Sequence, residues 1–418
     1  MQITNSVLSS RALPDAVPPR YLQLVLVLGS LSAFGALTID LYLPSTPSMA
    51  AQLDASPASI QATLTVFVVG LAVGQVLVGP LSDAWGRRPL LLVGLALYTA
   101  ASLACALAPS VGWLIAARAL QSLGAAAGTV LARAIARDLF SGVAMTRFLS
   151  TLMLVNGLAP VLAPVVGGQL LTVTTWRALF LLLTAIGVLL LGAVVLGLPE
   201  TLPTEHRQPA HPRHLLRTCA RLVDDRRFVR LVLAAAFMFA AVFAYISGSP
   251  FVLQDRHGLS PQEFSLVFAV NGLGIVACGQ LNGWMVGRLG SEAGLLLAAL
   301  AVATFGSAGV LVGAALDAPL PVLLVSLFLT VGMLGPVLTN ATALALADHS
   351  DVAGAASSLQ GMTQFLAAGL AAAALGAIGD DATTMGAVML CCAAPALCLA
   401  LPRRPRPARH AHRGERAV

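Results

Sequence analysis

The chain contains no lysine; its 24 basic residues are all arginine, which we read as codon bias rather than chemistry. Charge of either sign is scarce. Asp, Glu, Lys and Arg make up only 10% of the 418 residues, against about 25% in soluble domains. So few charges cannot cover the surface of a soluble chain this long. With a hydrophobic fraction of 58%, this excludes a soluble globular protein, a disordered chain, a nucleic-acid binder and a coiled coil. The net charge of +6 is therefore assigned to loops flanking a membrane, with no nucleic-acid partner expected. The six cysteines (Cys105, Cys219, Cys278, Cys391, Cys392 and Cys398) form no CxxC pair and no metal-ligand spacing. Neither a disulfide framework nor a metal site is expected. Met1–Arg20 lacks the apolar core and small-residue cleavage site of a signal peptide, so the run that starts at Tyr21 is expected to stay as an anchor.

Long apolar runs fill most of the chain. A helix needs about 20 apolar residues to cross a bilayer, so twelve crossings use about 240 residues. The runs fall at 21–46, 58–81, 90–108, 111–134, 148–171 and 178–198, then at 229–250, 264–286, 293–315, 319–343, 354–378 and 383–401. The polar stretch 199–228 separates them. The expected fold is an all-α integral membrane protein, with twelve spans in two six-helix bundles. The divisions are a cytoplasmic segment 1–20, a first bundle 21–198, a central cytoplasmic loop 199–228, a second bundle 229–401 and an Arg-rich tail 402–418. The loop and the tail read as solvated linkers. If both termini are cytoplasmic, only Arg177 and Arg256 fall on the far side and Arg118 falls within a span. The remaining arginines, among them Arg87, Arg88, Arg133, Arg137 and Arg288, stay inside, as the positive-inside rule requires. A weak repeat links the halves: Gly74, Gly79, Leu81 and Arg88 recur as Gly274, Gly279, Leu281 and Arg288. Repeated halves with a site between them are a common plan of secondary transporters.

An ionisable group inside a span is costly and marks a functional hypothesis. Asp40, in TIDLYLP, is the one acid placed clearly within a span, and Arg118 is the one base. All seven His lie in loops or the tail. With span 1 ending near Pro47 and span 4 starting near Gly112, both charges lie about 10 Å from the outer end. That depth permits pairing. An acid in a low-dielectric cavity takes up or releases a proton as its exposure and its neighbours change. The alternatives are a helix-end acid in water for Asp40 and a charge bonding span-end carbonyls for Arg118.

The turn GPLSDAWGRRPLL at 79–91 carries Gly79, Asp83, Gly86, Arg87 and Arg88. It resembles the GxLxDxxGRRxxL loop of the major facilitator superfamily. Span 5 holds Gly157, Pro160, Pro164, Gly167 and Gly168, read from the residues alone as a kinked helix with a small-residue packing face. The stretch is similar to that superfamily's antiporter motif, which ends in GPxxGG; Ala163 stands where the first of those glycines is usual. IDLYLPSTPSM, PETLPTEHRQP and SGSPFVL resemble bicyclomycin-resistance-type (Bcr/CflA) drug:proton antiporters. The resemblance covers about 21–401. It implies twelve spans, cytoplasmic termini, a bacterial inner-membrane location and drug efflux driven by proton entry, hence antibiotic resistance without a cofactor. It makes Asp40 the proton-binding acid and matches Arg118 to the span 4 Arg of RxxQG, with Ser122 in place of that Gly. A second acid found in span 1 of some relatives is missing, Ser32 lying two turns before Asp40.

Cavity candidates are Tyr42, Gln121, Asn156, Tyr245, Asn271, Asn340, Gln360 and Gln364, with interhelical hydrogen bonding as the alternative for each. Met238 and Phe239 add soft and aromatic contact, or face lipid. The expected partners are a small amphipathic substrate, protons and the lipid bilayer, and the chain is expected to act as a monomer. An exporter of an endogenous metabolite, sugar or amino-acid derivative on the same fold is the alternative. An enzyme is not expected, since there is no HExxH, no paired intramembrane Asp and no His in a span.

Overall fold

The computed structural model describes residues 21–140, 142–207, 220–349 and 352–401. Among these are 12 helices long and apolar enough to cross a membrane. In hydrocarbon the backbone must satisfy its own hydrogen bonds, so apolar runs of this length fold as helices. The spans of the first half are Tyr21–Asp40, Pro57–Trp85, Arg87–Ala106, Val111–Leu139, Gly142–Leu170 and Trp176–Gly197. Those of the second half are Arg226–Pro250, Pro261–Met285, Glu292–Ala315, Leu320–Gly332 continued by Leu334–Leu346, Ala353–Ile378 and Ala382–Ala400. They are numbered here span 1 to span 12. Side-chain caps mark several starts. Ser56 accepts from the Ser59 N–H, Ser110 from Trp113, and Ser260 forms a capping box with Glu263.

Prolines set the interruptions. Span 1 stops at Asp40, short of the expected Pro47, and continues as a turn Leu43–Ser45 and a short helix Thr46–Gln52. Pro44 has no N–H to offer the Asp40 carbonyl, so the ladder breaks there. Span 10 breaks at Met333 because Pro336 offers nothing to the Gly332 carbonyl. Span 5 carries Pro160 and Pro164 yet remains one helix. Span 4 runs past the expected 134 to Leu139 and carries Arg133 and Arg137 within it. Arg118 is therefore not the sole base on a span.

Each half packs around small residues, as helix pairs in membranes do. Span 4 is the centre of the first half. A Cβ on Gly124 would meet the Gly94 carbonyl oxygen at 2.6 Å and the Tyr98 nitrogen at 2.7 Å. The repeat has a structural counterpart at one position. Gly74 of span 2 lies on Ala126 of span 4, and Gly274 of span 8 lies on Phe328 of span 10. Gly79 and Gly279 do not correspond: Gly79 has no neighbour within 4 Å, while Gly279 lies 3.7 Å from Gly335.

The halves meet along two seams. Spans 5 and 8 touch at Gly168 with Ser265, Gly272 with Val161 and Gly157 with Val276. Spans 2 and 11 touch at Gly376 with Ala58, Gly369 with Val69 and Gly361 with Gln75. Both seams begin at the end of the bundle away from the 85–87 turn and stop short of that turn. Toward it, a Cβ on Gly79, Gly283 or Gly354 would meet nothing within 4 Å among the described residues. Among the described residues, the bundle is thus closed at one end and parted at the other. Segments 1–20 and 402–418, and residues 208–219 of the central loop, lie outside the described residues.

The packing at Gly124 yields a direct expectation. Gly124→Val forces a branched side chain onto backbone atoms of span 3, a type of overpacking that costs about 1–3 kcal/mol. The purified variant should melt several degrees below wild type in a detergent thermal-shift assay. Gly192→Val, at a glycine with nothing within 4 Å, should melt with wild type.

Candidate functional site

Between the halves lies a cavity of about 320 Å³. Span 1 contributes Ser32, Gly35, Ala36, Ile39 and Asp40 to its wall; spans 2, 4 and 5 contribute Leu71, Gln75, Thr129, Arg133, Asn156 and Pro160. From the second half come an aromatic set, Phe239, Phe243, Tyr245, Phe268 and Phe365, and the amide of Asn271. The wall is apolar with few polar groups, the usual make-up of a small-molecule site.

Asp40 is 5% exposed and sits at the break in span 1. Its carboxyl faces the cavity, and no cation lies within 4.0 Å of it among the described residues. Arg118 does not pair with it in this conformation. The fully buried guanidinium donates from Nη1 to the Thr38 carbonyl at 3.3 Å and to Gln121 Oε1 at 2.8 Å. Its flat face covers Phe67 at 4.1 Å and Tyr42 at 4.6 Å, a cation–π arrangement. Thr38 is among the last residues of span 1, whose carbonyls lack intrahelical partners. Arg118 therefore acts here as a charge on a span end, behind Asp40 and outside the cavity lining.

Of the other sequence candidates, Asn156, Tyr245 and Asn271 line the cavity. Asn156 donates to Ser32 Oγ at 2.9 Å, and Asn271 donates to the Tyr245 hydroxyl at 3.0 Å. Tyr42, Gln121, Asn340, Gln360 and Gln364 do not line it. Tyr42 is buried against Arg118, and Gln121 joins Arg118 to Ser102. Asn340 exchanges two hydrogen bonds with Asn282, and Gln360 donates to Thr342. These are interhelical bonds. Met238 is buried in the core of the second half rather than facing lipid, while Phe239 lines the cavity.

At the parted end, the 79–91 turn forms a charged cluster. Arg87 pairs with Asp83 at 2.6 Å and with Asp138 of span 4 at 3.3 Å, and also donates to Ser82. Glu200, just past span 6, accepts from the backbone N–H groups of Arg87 at 3.0 Å and Arg88 at 3.3 Å. A carboxylate at a helix N-terminus is a favourable placement. Arg88 donates to the Val195 carbonyl, and Arg207 pairs with Glu200 at 3.6 Å. Gly86 has φ of +100°, and a Cβ there would meet Glu200 Oε2 at 2.5 Å. Only glycine fits this turn. The stretch 199–207 is therefore fastened to the first bundle rather than a solvated linker. Glu200 and Asp138 were not picked out from sequence; the PETLP run was the available signal. In the second half the matching end is held differently. Arg227 pairs with Asp348 at 2.7 Å and Asp225 with His349 at 2.9 Å. Partial burial raises the Asp225 carboxyl, but the Arg227 N–H and His349 outweigh it and hold it below the usual carboxylate range.

The span 5 motif lies on the closed seam. Gly167 lies on the Leu41 carbonyl, and Gly168 accepts from Gln262 of span 8 at 2.8 Å. Gly157 lies against Val276, Pro160 lines the cavity, and Pro164 stands one turn beyond.

The sequence model of the family described as Major Facilitator Superfamily matches residues 26–372. The chain is 41% identical over 373 residues to the "Uncharacterized MFS-type transporter YdgK" of Bacillus subtilis, covering 88% of this chain and 92% of that protein. It is 33% identical over 341 residues to the "Bicyclomycin resistance protein homolog" of Haemophilus influenzae, covering 82% and 85%. It is 29% identical over 269 residues to "Multidrug resistance protein D" of Escherichia coli, covering 64% and 66%. Among solved structures, a peptide transporter POT in complex with sulfate superposes with TM-score 0.72 at 17% identity, covering 90% and 93%. The xylose transporter XylE from E. coli superposes with TM-score 0.70 at 14% identity, covering 90% and 96%.

Glu200→Ala removes the acceptor for two N–H groups at the start of span 3, and bonds to a charged group are worth about 1.5–3 kcal/mol each. The variant should melt several degrees below wild type and lose trypsin resistance at the Arg87–Arg88 bond. Glu205→Ala, at an exposed acid nearby, should change neither.

Proposed function

The chain belongs to the major facilitator superfamily, and from that premise we propose that it is a proton-coupled antiporter exporting small amphipathic drugs, of the bicyclomycin-resistance (Bcr/CflA) type. Membership makes it a multi-pass membrane transporter of small molecules and not an enzyme. The finer reading rests above all on Asp40, an unpaired carboxyl buried in the cavity between the halves, where the helix that carries it breaks. The printed names of two relatives, a bicyclomycin-resistance homologue and a multidrug-resistance protein, support drugs as the cargo.

The arginine asymmetry puts the 79–91 turn in the cytoplasm and both termini with it. The parted end then faces the cytoplasm, and the described state is open inward. In this state Asp40 releases its proton inward and the cavity admits substrate. The halves then rock, closing the cytoplasmic end and parting the Gly168–Ser265 seam. From outside, Asp40 takes a proton and the substrate leaves. Net flow is one proton or more inward for each compound expelled, and the transmembrane proton gradient drives it. The cytoplasmic membrane of a bacterium supplies that gradient.

The test is a growth-inhibition panel in a pump-deficient bacterial host, with chloramphenicol, florfenicol, bicyclomycin, tetracycline and lipophilic cations. Wild type should raise resistance to at least one compound. Asp40→Asn, present in the membrane at the same level, should return to the vector-only value, since an amide carries no exchangeable proton of this kind. Full resistance in that variant would remove Asp40 from coupling. No resistance to any compound from membrane-inserted wild type would overturn drug efflux and move the search to the host's own metabolites.

A further inference from the structure

The cavity carries a second unpaired charge. Arg133 lines it from span 4, and no carboxylate lies within 4.0 Å of its guanidinium among the described residues. Its one protein hydrogen bond is a long contact from Nε to the Thr129 carbonyl at 3.4 Å. The two terminal amino groups have no acceptor among the described residues. A helical side chain leans toward its helix's N-terminus. The N-terminus of span 4 lies at the closed end, so Arg133 is carried inward along the cavity to the level of Thr129. Thr129 faces Gly35 of span 1, where a Cβ would lie 3.9 Å from the Thr129 hydroxyl. Asp40 is five residues beyond Gly35, about 7.5 Å farther along the axis. The cavity thus has a cationic end near its mouth, an acid deeper in, and the rings of Phe239, Phe243 and Phe365 on its wall.

The positive-inside rule accounts for an arginine at this end of span 4 but not for its place on the cavity wall. It stands six residues before the end of span 4 at Leu139, so it does not bond the last carbonyls of the helix. Arg118, by contrast, is fully buried and outside the cavity lining, with Nη1 bonded to a carbonyl and an amide, Nε and Nη2 without acceptors among the described residues, and aromatic faces against it. An arginine on the cavity wall, exposed and with its planar fork free of protein acceptors among the described residues, is arranged to take a carboxylate or a similar planar anion. Arg133, with Arg137 one turn farther along span 4, also raises the local concentration of anions at this end and repels cations.

We infer that Arg133 recognises an acidic group on the transported compound, so that the cavity takes amphiphiles carrying one carboxylate or comparable acid in preference to lipophilic monocations. This rests on the reading of the cavity as the transport site and names the substrate class of that site. The neutral or basic end of such a compound extends past the aromatic wall toward Asp40.

The test is saturable fluorescence binding of dansylglycine and of its methyl ester to the full-length protein in detergent at pH 7. The two probes share the ring and differ by one charge. Wild type should hold the acid about tenfold more tightly than the ester, the scale of one charge-assisted hydrogen bond. Arg133→Gln should erase that ratio while binding the ester as wild type does, which also reports a folded cavity. Arg133→Lys should keep part of it. Equal or tighter binding of the ester by wild type, no saturable binding of dansylglycine, or an unchanged ratio in Arg133→Gln would each overturn the assignment. The assay uses no proton gradient, so its failure is distinct from loss of resistance in Asp40→Asn, which concerns coupling.

Discussion

Pro44 decides the geometry of the site. It denies the Asp40 carbonyl its hydrogen bond and ends span 1 inside the bundle rather than at its rim. Two consequences follow in different directions. The Asp40 carboxyl is left at the cavity wall, and the last carbonyls of span 1 are left to be satisfied by something other than water. Arg118 meets the second need by bonding the Thr38 carbonyl. A polar chain behind it completes the arrangement: Gln121 joins Arg118 to Ser102, and the Thr38 hydroxyl meets the Tyr98 hydroxyl at 2.7 Å. Tyr98 stacks on Phe34 of span 1, its ring 4.4 Å away. In a low-dielectric interior such a network is stabilising only when most of its members find partners. Here it ties spans 1, 3 and 4 into one body.

That rigidity has a counterpart at the other end. The charged cluster of Asp83, Arg87, Asp138, Glu200 and Arg207 joins the first half to the stretch 199–207 fastened to it. The pairs Arg227–Asp348 and Asp225–His349 lie wholly in the second. The ion pairs named at this end therefore do not cross between the halves. The contacts that do cross are glycine seams, apolar side chains such as Leu43, Phe243, Phe251 and Ala368 packed in the other half's core, and, among the described residues, one amide-to-carbonyl bond, Gln262 to Gly168. The named ion pairs sit within each half, and the contacts between the halves are mostly apolar and non-directional. This division suits motion of one half against the other about a fixed cavity, the plan common to transporters of repeated halves.

Much of this was legible in the sequence, and the misses have a common cause. The spans followed from run length, because an apolar run of this length satisfies its own backbone in lipid only as a helix. Asp40 and the 79–91 turn stood out because charges and glycine-bracketed arginines are rare against such a background. The facing of each helix was not legible. A span that is apolar all round carries no polar face, so Tyr42 and Gln121 looked as suited to the cavity as Asn156 and Asn271. Only packing separates them: the former turn toward Arg118, the latter toward the other half. Arg133 was counted with the cytoplasmic arginines because the apolar run fades near it, although the helix continues to Leu139. Glu200 and Asp138 act across long sequence separations, and no local spacing announces that they converge on Arg87.

The separation of Arg118 from Asp40 bears on how coupling works under the proposed reading. An acid held in a close pair with an arginine keeps its charge in every state of the cycle and exchanges no proton. Turning Arg118 to the backbone, and to the faces of Phe67 and Tyr42, removes that constraint while still neutralising the end of span 1. The charge on Asp40 is then governed by what occupies the cavity: water on one side, substrate on the other, and Arg133 at the mouth. A substrate that enters displaces water from around Asp40 and alters its hold on a proton. A proton that arrives removes the charge a polar or basic substrate end had faced. Proton and substrate thus compete through one carboxyl, and antiport needs no further ionisable group within the first span.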